Sequence, residues 1–443
     1  MKILITAAGS YGDVAPYTGV GAGLREAGHE VTLATHDTYA PLVRSAGLAF
    51  RRLPADPRTA RPDPGLASAP APHGKRDLMR KAAAFIQELG GGIAEAATAD
   101  TELLLLSTTT APLGLHLAEA LDIPPLSLAL QPNAPTGDFA PVISGGRSLG
   151  RWGNRAMGRL SLRVIDRLYA GAVRDLRTRL DLPPATPRTV RRRAEAANRP
   201  VLYGFSELLV PRPKDWRSGL EIVGNWWPWR APDAQLPSSV EDFIAAGPPP
   251  VFLGFGSMAA GDGARLSTLA VRALRRAKVR GILQSGWAGL TPGTGAHPDI
   301  LTVGEVPHAL LFPRMSAVVH HCGAGTAAAG LRAGVPTVPV PVTADQPFWA
   351  ARLAALGAAT APIPFKDLTK GPTDTPDRSD NHSDIHSDIH SDEPDERAVA
   401  RLAEAITRAT TDPAHRERAT EAARHLATED GTAKVSTAVA RLL

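Results

Sequence analysis

The chain alternates short apolar runs with longer amphipathic stretches, and this alternation limits its fold more than any other feature. Residues 3–7 form an apolar run, a glycine-rich turn follows over residues 9–12, and a helical stretch ends near Gly28. Another apolar run covers residues 31–34. Units of strand, turn, helix and strand build right-handed crossovers around a parallel sheet. The chain is therefore predicted to be an α/β protein.

The same alternation continues in two series along the chain. The first series predicts helices at residues 39–46, from Arg76 and from Pro112, and strands at residues 48–53, 103–106 and 126–130. After prolines 248–250, the second series predicts strands at residues 251–254, 281–284, 300–303, 317–319 and 337–340. A chain of 443 residues suits two domains of about 200 residues each. We predict two doubly wound domains, whose ligands lie beyond the carboxyl ends of the strands.

The predicted domain limits follow from where this pattern breaks. We expect an N-terminal domain over residues 1–210, an interdomain linker over 211–249 and a C-terminal domain over 250–425, with a helix over 426–443 that packs back on the first domain. The linker holds four of the seven tryptophans and many prolines. This composition favours a connection that packs against both halves.

Other segments also interrupt the pattern. Residues 54–75 are rich in proline and indicate a mobile loop, whereas residues 132–147 follow a strand end, where loops usually line a site. The insertion at about 370–396 repeats His-Ser-Asp-Ile from His382 onward. Its polar composition favours a disordered surface segment, and a His/Asp metal-binding tract is the alternative.

Charge and cysteine content exclude several classes of protein. The 49 basic and 44 acidic residues leave a formal charge of +5 that is scattered, so nucleic-acid binding is not expected. The densest basic run, Arg188 with residues 191–193, indicates a solvated linker. A single cysteine excludes an internal disulfide and suits a reducing compartment.

Hydropathy predicts a protein that stays out of the membrane. No apolar run approaches the roughly 18 residues of a membrane span. The apolar run at the start of the chain is too short for the core of a signal peptide. We expect a cytoplasmic monomer or homodimer without stable membrane insertion.

Residues 320–326, His-His-Cys-Gly-Ala-Gly-Thr, follow a predicted strand and open a predicted helix. Zinc suits them poorly, because these histidines and Cys322 are consecutive, whereas zinc ligands usually stand two to four residues apart. Cys322 is either a nucleophile or a small apolar packing group. The small residues favour a third interpretation, in which the backbone approaches an anion that the first-turn N–H groups bind. We predict an anion site, to which Thr326 adds a hydroxyl.

Neighbouring residues indicate what else this part of the chain binds. Asp345 and Gln346 follow a predicted strand, and their carboxylate and amide suit the hydroxyls of a polyol. Residues 304–308 precede the anion site and could hold a base or a ribose through their backbone. Three glycines of the first helix miss the dinucleotide-binding spacing and favour close packing of that helix, namely Gly19, Gly21 and Gly23.

Several motifs together resemble a known family. Residues 304–358, with HHCGAGT, GLRAGVP and ADQPFWA, resemble the nucleotide-sugar signature of family 1 glycosyltransferases of GT-B fold. GSYGDVAPY and GLREAGHEVTLATH resemble the branch of sterol glucosyltransferases and glycopeptide- and macrolide-antibiotic glycosyltransferases. FGSM and YGFSELLVPRPKDW add to a match that covers nearly the whole chain except the His-Ser-Asp insertion. The resemblance implies two Rossmann-like domains that face an interdomain cleft.

The resemblance also implies a donor site in the C-terminal domain. The residues that match diphosphate contacts in the family are Ser257, His321, Gly323, Ala324, Gly325 and Thr326. Trp287 and Val306 match nucleoside contacts, and Asp345 with Gln346 matches the pair that binds the sugar. No metal and no other cofactor is expected, because a helix terminus can stabilise the leaving group and no Asp-x-Asp motif is present.

The general base implied by the resemblance is Asp13, three residues before Pro16, where many plant-type relatives carry a histidine. A carboxylate there can accept the proton of the acceptor hydroxyl, and a positioned base contributes roughly 10²–10⁴-fold. The alternative role of Asp13 is to cap a helix that starts near Pro16. Ser107 and Thr108 stand where plant-type relatives carry a partner aspartate, so a His-Asp dyad is not expected. The candidate acceptor contacts are Ser10, Phe139 and Trp152.

The activity that the resemblance implies is inverting glycosyl transfer. The donor would be UDP-glucose or a dTDP-sugar, and the acceptor a hydroxyl of an apolar natural product or sterol-like molecule. Two alternatives stay open, a nucleotide-sugar epimerase of the same fold and a non-catalytic nucleotide-sugar-binding protein. An oxidoreductase with two Rossmann domains would need a dinucleotide fingerprint, which the sequence lacks.

Overall fold

The computed structural model describes residues 1–54, 75–145, 147–255, 263–285, 297–369 and 394–442. The chain divides into two compact units, Met1–Ala234 with Glu429–Leu443 and Gln235–Thr428. Each unit holds a parallel sheet with helices between its strands, so the predicted α/β class is confirmed. The segment 211–249, predicted as a linker, is shared between the two units.

The first unit is built around one long sheet. Its strands are β1 (Lys2–Thr6), β2 (Glu30–Thr35), β3 (Ala49–Arg52), β4 (Leu103–Ser107), β5 (Pro125–Ala129), β6 (Val201–Tyr203) and β7 (Leu220–Ile222). Within the described residues they are ordered β3-β2-β1-β4-β5-β6-β7. Its first helices are α1 (Tyr11–Glu26), α2 (Ala40–Ser45), α3 (Lys75–Ala96), α4 (Ala111–Leu121), α5 (Gly150–Arg179) and α6 (Pro187–Ala196), with 3-10 turns at Asp37–Tyr39 and Val142–Ser144.

The second unit repeats the plan with a shorter sheet. Its strands are β8 (Val251–Gly254), β9 (Gly281–Gln284), β10 (Ile300–Val303), β11 (Ala317–His320) and β12 (Thr337–Pro339). The described strands are ordered β10-β9-β8-β11-β12. Its helices are α7 (Ser238–Ala245), α8 (Gly263–Ala277), α9 (His308–Leu311), α10 (Ala324–Arg332), α11 (Gln346–Leu356), α12 (Lys366–Thr369), α13 (Glu396–Thr411) and α14 (Pro413–Leu426), with a 3-10 turn at Phe312–Arg314.

The last helix, α15 (Gly431–Ala440), belongs to the first unit and packs on α1. Val435 and Val439 are fully buried in the same apolar cluster as Val20 and Leu24 of α1. The hydroxyl of Ser206 donates a 2.5 Å hydrogen bond to the carboxylate of Glu429, which precedes this helix. The end of the chain therefore contributes to the core of the unit in which the chain begins.

The central strands are buried along their whole length. Every residue of β4, Leu-Leu-Leu-Leu-Ser, and of β8, Val-Phe-Leu-Gly, is buried. Strands of parallel sheets are covered by helices on both faces, so they have continuous apolar runs rather than alternating ones. This is why the sequence pattern located these strands. Among the described residues, none of the helices combines the length and the hydropathy that crossing a bilayer requires.

Each sheet has a point at which its strand order reverses. In the first unit the chain leaves β1 toward β2 on one side, and β4 lies on the other side. In the second unit β8 lies between β9 and β11 in the same way. Ligands of open α/β sheets bind beyond the carboxyl ends of the strands at such points. A ligand site is therefore expected at the turn after β1 and at the turn after β11.

Some expectations from the sequence are corrected by the fold. The basic run at Arg188 and residues 191–193 is not a solvated linker, because it lies on α6. Arg191 there forms a 2.7 Å ion pair with Asp166 of α5 and a second with Glu195 at 2.6 Å. The sequence pattern also missed β6 and β7, which have only three residues each. The predicted loop at 54–75 and the predicted disordered insertion fall largely on residues 55–74 and 370–393, outside the described residues.

The glycines of α1 pack closely, as predicted. A Cβ atom on Gly19 would clash with the carbonyl oxygen of Trp227, and one on Gly23 would clash with the side chain of Thr432. Gly21 is crowded in the same way by a leucine side chain. These glycines therefore serve the packing of α1 rather than a dinucleotide.

Candidate active site

The turn from β11 into α10 forms the predicted anion site of the second unit. His320 ends β11, and α10 begins at Ala324 with Gly323 as its N-cap. The first helical hydrogen bond runs from the amide of Ala327 to the carbonyl of Gly323 at 2.9 Å. The amides of the three residues before Ala327 have no acceptor inside the helix. With the partial positive charge of the helix terminus, they can bind an anion at this end of α10.

Cys322 makes the sharp bend between the strand and the helix. Its φ is 63°, its side chain is buried, and its Sγ lies 3.6 Å from the carbonyl oxygen of His320. Burial raises the pKa of the thiol well above its usual range, which disfavours the nucleophilic thiolate. The geometry supports the packing role of Cys322. In the described part of the chain, no group of three or more His, Cys, Asp or Glu side chains is placed to hold a metal ion.

Three histidines lie close together at this edge of the sheet, His308, His320 and His321. Nδ1 of His320 accepts a 3.0 Å hydrogen bond from the amide of Cys322, and His308 stacks on Phe312 with ring centroids 4.3 Å apart. Burial lowers the pKa of His308 and of His321 to about 4. It also lowers the pKa of His320 well below its usual range. All three imidazoles are therefore neutral near neutral pH in the unliganded protein.

Gly323 leaves room for the imidazole of His321. A Cβ atom on Gly323 would lie only 2.8 Å from Nε2 of His321. Any side chain at this N-cap would push the imidazole away from the start of α10. The neighbouring histidine therefore accounts for a glycine at this position.

The pair predicted to bind a sugar, Asp345 and Gln346, stands where the loop after β12 enters α11. Nε1 of Trp349 donates a 2.7 Å hydrogen bond to Oδ2 of Asp345. Oε1 of Gln346 accepts hydrogen bonds from the amides of Val342 at 2.8 Å and Thr343 at 3.1 Å. Both side chains are thus held in position. Because β12 pairs with β11, this loop lies at the same edge of the sheet as the α10 turn.

The remaining predicted donor contacts are placed less clearly. Ser257 and Trp287 lie outside the described residues. Val306 follows β10 and packs its side chain in a buried apolar cluster that includes Leu311 and Phe312. A contact between this position and a nucleoside would therefore fall to the backbone of residues 304–308.

In the first unit, Asp13 lies in the first turn of α1, directly after β1. Its Oδ2 accepts hydrogen bonds from the amide of Ser10 at 2.8 Å and from the hydroxyl of Ser10 at 2.7 Å. Ser10 is the N-cap of α1, which begins at Tyr11 and not near Pro16, so Asp13 is not itself the N-cap. As the third residue of the helix, Asp13 accepts the amide of Ser10 in a capping box. Among the described residues, no hydrogen bond falls on Oδ1. Burial raises the pKa of Asp13, which strengthens the carboxylate as a proton acceptor, so capping and base catalysis are compatible.

Gly9 and His36 hold this turn in place. Gly9 has a φ of 141°, and a Cβ atom there would lie 2.6 Å from Oδ2 of Asp13. Its amide donates a 3.0 Å hydrogen bond to Nε2 of His36, a buried residue directly after β2. Only glycine satisfies both the backbone angle and the close approach. His36 was not predicted as a site residue, because its position at the end of a strand is its only signal in the sequence.

A small hydroxyl network lies between the ends of β1 and β4. Oγ1 of Thr6 donates to Oγ1 of Thr110 at 2.8 Å, and Thr110 in turn donates to the carbonyl of Thr6 at 2.9 Å. The hydroxyl of Ser107 lies 3.2 Å from that of Thr110. Ser107, which stands where plant-type relatives carry an aspartate, is thus part of a neutral network.

The three predicted acceptor contacts have very different surroundings. Ser10 is exposed and bonded to Asp13. Phe139 is 8% exposed and lines a cavity of about 60 Å³ between the loop 132–147 and α5. Trp152 is 85% exposed on α5. The structure thus places Ser10 beside the predicted base, buries Phe139 in its own loop and leaves Trp152 in solvent.

An aromatic pair beside Asp13 was missed from the sequence. Tyr11, the first residue of α1, is 50% exposed, and its ring packs edge-on against Tyr39 with centroids 6.3 Å apart. Tyr11 thus offers an exposed apolar surface in the same turn of α1 as Asp13, on a different side of the helix.

Asp215 anchors the loop 132–147. Its carboxylate accepts hydrogen bonds from the hydroxyl of Thr136 at 2.6 Å and the amide of Gly137 at 2.8 Å, and it pairs with Arg155 of α5. Burial acts to raise the pKa of Asp215, but the hydrogen bonds from Thr136 and Arg155 outweigh it and lower the pKa to about 2. The loop is therefore fastened to α5.

Comparison with known proteins identifies the family. The N-terminal domain of glycosyltransferase family 28 matches residues 3–133, and the C-terminal domain of erythromycin biosynthesis protein CIII-like matches residues 288–371. The O-mycaminosyltylonolide 6-deoxyallosyltransferase of Streptomyces fradiae is 36% identical over 391 residues, which cover 84% of this chain and 87% of that relative. The chain therefore belongs to the family of glycosyltransferases that includes this deoxyallosyltransferase.

Other proteins similar to this chain include a sterol glucosyltransferase and glycosyltransferases of known structure. Sterol 3-beta-glucosyltransferase UGT80A2 of Arabidopsis thaliana is 33% identical over 384 residues, which cover 83% of this chain but only 59% of that relative. The crystal structure of the glycotransferase of kitacinnamycin matches with a TM-score of 0.68 at 18% identity and covers 100% of this chain and 99% of its own. SsfS6 of Streptomyces sp. SF2575, complexed with thymidine diphosphate, matches with a TM-score of 0.59 at 20% identity over 100% and 99% of the two chains. These matches confirm the predicted GT-B fold.

Proposed function

We propose that this glycosyltransferase moves a sugar, with inversion, from UDP-glucose or a dTDP-sugar to a hydroxyl of an apolar natural-product or sterol-like acceptor. The turn from β11 into α10 is the observation that carries the proposal. It presents unbonded first-turn amides and His321 at the point where the strand order of the second sheet reverses. The relatives support the same classes of substrate, because they include a deoxyallosyltransferase, a sterol glucosyltransferase and a thymidine diphosphate complex.

The energy available at this turn is sufficient for binding a diphosphate. A hydrogen bond to a charged acceptor contributes roughly 1.5–3 kcal/mol. Three first-turn amides would therefore contribute roughly 5–9 kcal/mol, and a micromolar Kd corresponds to about 8 kcal/mol. Asp345 and Gln346, held by Trp349 and by the loop backbone, would bind hydroxyls of the donor sugar at the same edge.

Asp13 is the proposed general base. Its carboxylate takes the proton of the acceptor hydroxyl while the acceptor oxygen bonds to the anomeric carbon. The bond from that carbon to the diphosphate oxygen breaks on the opposite face, so the configuration inverts. The negative charge that develops on the diphosphate is stabilised by the amides of α10 and by a hydrogen bond from His321. The raised pKa of Asp13 and its unbonded Oδ1 support this role.

The acceptor needs more space than the cavity at Phe139 offers. Sites for drug-sized ligands usually enclose roughly 300–1,000 Å³, whereas this cavity holds about 60 Å³. Phe139 therefore contributes at most a small subsite. The exposed ring of Tyr11, in the same helical turn as Asp13, is a more accessible apolar contact for the acceptor.

The substitution Asp13→Asn tests the assignment of the base. The amide keeps the shape of the side chain but cannot take a proton, so we expect kcat to fall by roughly 10²–10⁴-fold. Calorimetric titration with UDP and with thymidine diphosphate should give the same Kd as the unaltered protein, because these ligands bind the second unit. Asp242→Asn, at an exposed position on α7, is the matched control and should be fully active. Full activity of Asp13→Asn would refute the assignment.

Product analysis separates the two alternatives from glycosyl transfer. An epimerase would convert the nucleotide sugar in the absence of any acceptor, and a binding protein would release no nucleoside diphosphate at all. We expect release of the nucleoside diphosphate only in the presence of an apolar acceptor with a free hydroxyl. An equal amount of glycosylated acceptor should form. Acceptor-independent conversion of the donor sugar would contradict the proposal.

A further inference from the structure

The outer face of α5 exposes an unusual number of apolar side chains. Leu149, at the N-cap of this helix, is 56% exposed, and Trp152, Leu160 and Val164 are 85%, 49% and 51% exposed. Spacings of three, four and eight residues place them on the same side of the helix. The opposite side is buried, as Tyr169 and Val173 show. Exposed apolar residues that cluster in this way usually mark an interaction surface.

The same face is strongly basic. Arg159, Arg163 and Arg167 follow one another at intervals of four residues, and all three are exposed. Arg159 and Arg163 each stand directly before one of the exposed apolar residues. In the described part of the chain, none of these three arginines forms an ion pair. They therefore remain available to a partner of opposite charge.

The acidic residues of α5 do not neutralise this face. Asp166 is bound by Arg191 of α6 at 2.7 Å. Asp175 accepts a 2.6 Å hydrogen bond from Gln87 of α3. Both carboxylates are thus used in contacts between helices, and the outer face of α5 combines positive charge with apolar surface.

We propose that the outer face of α5, formed by Leu149, Trp152, Arg159, Leu160, Arg163, Val164 and Arg167, docks this protein on a lipid bilayer of negative surface charge. Helices with a mixed basic and apolar face lie in the plane of the interface, where arginines bind lipid phosphates and apolar side chains enter the boundary of the acyl chains. Tryptophan is well suited to that boundary because its ring is apolar and its N–H is polar.

A bilayer fits this surface better than an acidic protein does. The surface is the convex side of one helix, and a stable protein interface needs roughly 1,000 Å² or more of complementary contact. A planar bilayer requires no matching concave shape. Docking of this kind is peripheral, and it does not depend on the proposed reaction.

Sedimentation with lipid vesicles tests the proposal on the full-length protein. The probes are vesicles of phosphatidylcholine alone and of phosphatidylcholine with phosphatidylglycerol. We expect the protein to sediment with the anionic vesicles, not with the neutral ones, and to be released as salt is raised. The triple variant Arg159→Glu, Arg163→Glu, Arg167→Glu should bind at least about a hundredfold more weakly. The pair Leu160→Ser, Val164→Ser should bind more than about tenfold more weakly.

Matched controls separate this surface from a general effect of charge. Arg275, Arg424 and Arg441 are exposed arginines on other helices or their ends. Changing these three to glutamate alters the net charge equally and should leave vesicle binding within about threefold of the unaltered protein, since each distant arginine adds little. Circular dichroism and nucleotide binding should be unchanged in all variants, which shows that they fold.

Two results would overturn the proposal. The first is the absence of binding to anionic vesicles at low salt. The second is an equal loss of binding in the α5 triple variant and in the control triple variant. The first result has a further reading if the α5 variants alone lose the binding of an acidic protein, while neither these variants nor the unaltered protein bind vesicles. The surface is then a protein interface, and the bilayer is excluded.

Discussion

At the residue scale, the carboxylate of Asp13 secures a helix and is also the proposed general base. Asp13 accepts two hydrogen bonds from Ser10 on Oδ2, which secures the first turn of α1. The same bonds fix the direction of the carboxylate, while burial raises its pKa. The two hypotheses for Asp13 drawn from the sequence, cap and base, therefore do not compete.

The position of Asp13 should depend on Gly9. A Cβ atom on Gly9 would lie 2.6 Å from Oδ2, and its φ of 141° disfavours any other residue. We expect Gly9→Ala to lower kcat by more than about tenfold, through displacement of a base worth roughly 10²–10⁴-fold, with an unchanged Kd for UDP. Gly28→Ala is the control, because Gly28 also has a positive φ, 91°, but nothing lies within 4 Å of the added atom. Equal activity of the two variants would show that Gly9 does not position the base.

The buried histidines should make the second unit sensitive to acid. Burial lowers the pKa of His308 from its ordinary 6.5 to about 4, so between these values the unfolded chain binds a proton that the folded chain does not. The free energy of unfolding is therefore unaffected above the pKa that His308 has in the unfolded chain. It decreases as the pH falls from there toward the pKa of His308 in the folded protein. At about pH 5 this one residue would cost up to about 2 kcal/mol.

Replacement of His308 by phenylalanine should reduce this loss. The aromatic ring can still stack on Phe312 but cannot titrate. We expect the melting temperature of His308→Phe to fall less between about pH 7.5 and about pH 5 than that of the unaltered protein. His425→Gln, at an exposed position, should show the ordinary fall. The prediction fails if His308→Phe and the unaltered protein lose the same stability on acidification.

At the scale of single elements, α10 combines a structural role with the proposed binding of the diphosphate. Its N-cap, Gly323, has φ −58° and ψ 146°, an extended conformation that a following proline permits. Ala324 is the first helical residue, and proline is well tolerated there because the amide has no acceptor within the helix. The amide of Ala324 can therefore be removed without breaking the helix.

The variant Ala324→Pro isolates the contribution of that amide. We expect its melting temperature to stay within a few degrees of the unaltered protein, while the Kd for UDP or thymidine diphosphate weakens by roughly 10–100-fold. Ala324→Ser keeps the amide and should bind almost normally. Unaltered nucleotide affinity in the proline variant would place the phosphates away from this end of α10.

Elements were predictable where their signal is local. The runs of β8, β9 and β10 were located to the residue. β8 and most of β9 are buried, as is typical of strands covered on both faces, whereas the edge strand β10 is only half-buried at its centre. The three-residue strands β6 and β7 carry too little local signal and form only by pairing at the far edge of the first sheet. The arginines of α6 suggested a solvated linker for a similar reason. The partner of Arg191, Asp166, lies 25 residues earlier in the chain, so no local pattern reveals the pair.

At the scale of the whole molecule, α15 is needed by the unit in which the chain begins. Val435 and Val439 are fully buried in the apolar cluster of the first unit. Lys434 and Thr437 lie on the exposed side of the same helix. The helix thus offers buried and exposed positions for a direct comparison.

Charges at the buried positions should destabilise the first unit selectively. We expect Val435→Asp with Val439→Asp to lower the free energy of unfolding by several kcal/mol, because unpaired charges would enter an apolar core. Lys434→Asp with Thr437→Asp should change it by less than about 1 kcal/mol. Nucleotide binding, which we propose for the second unit, should survive in both pairs, as calorimetry would show. Loss of nucleotide binding in the buried pair alone would mean that the units do not fold independently.

By itself the sequence determined the α/β class, the strands of both sheets that are buried along their length, and the turn at residues 320–326. These features depend on neighbouring residues, through apolar runs and through glycines at a strand-to-helix turn. Only the tertiary structure decided that Cys322 is buried, that His36 supports Gly9, and that Phe139 is enclosed while Trp152 is exposed. Each of these depends on contacts between residues far apart in the chain, which no local pattern records.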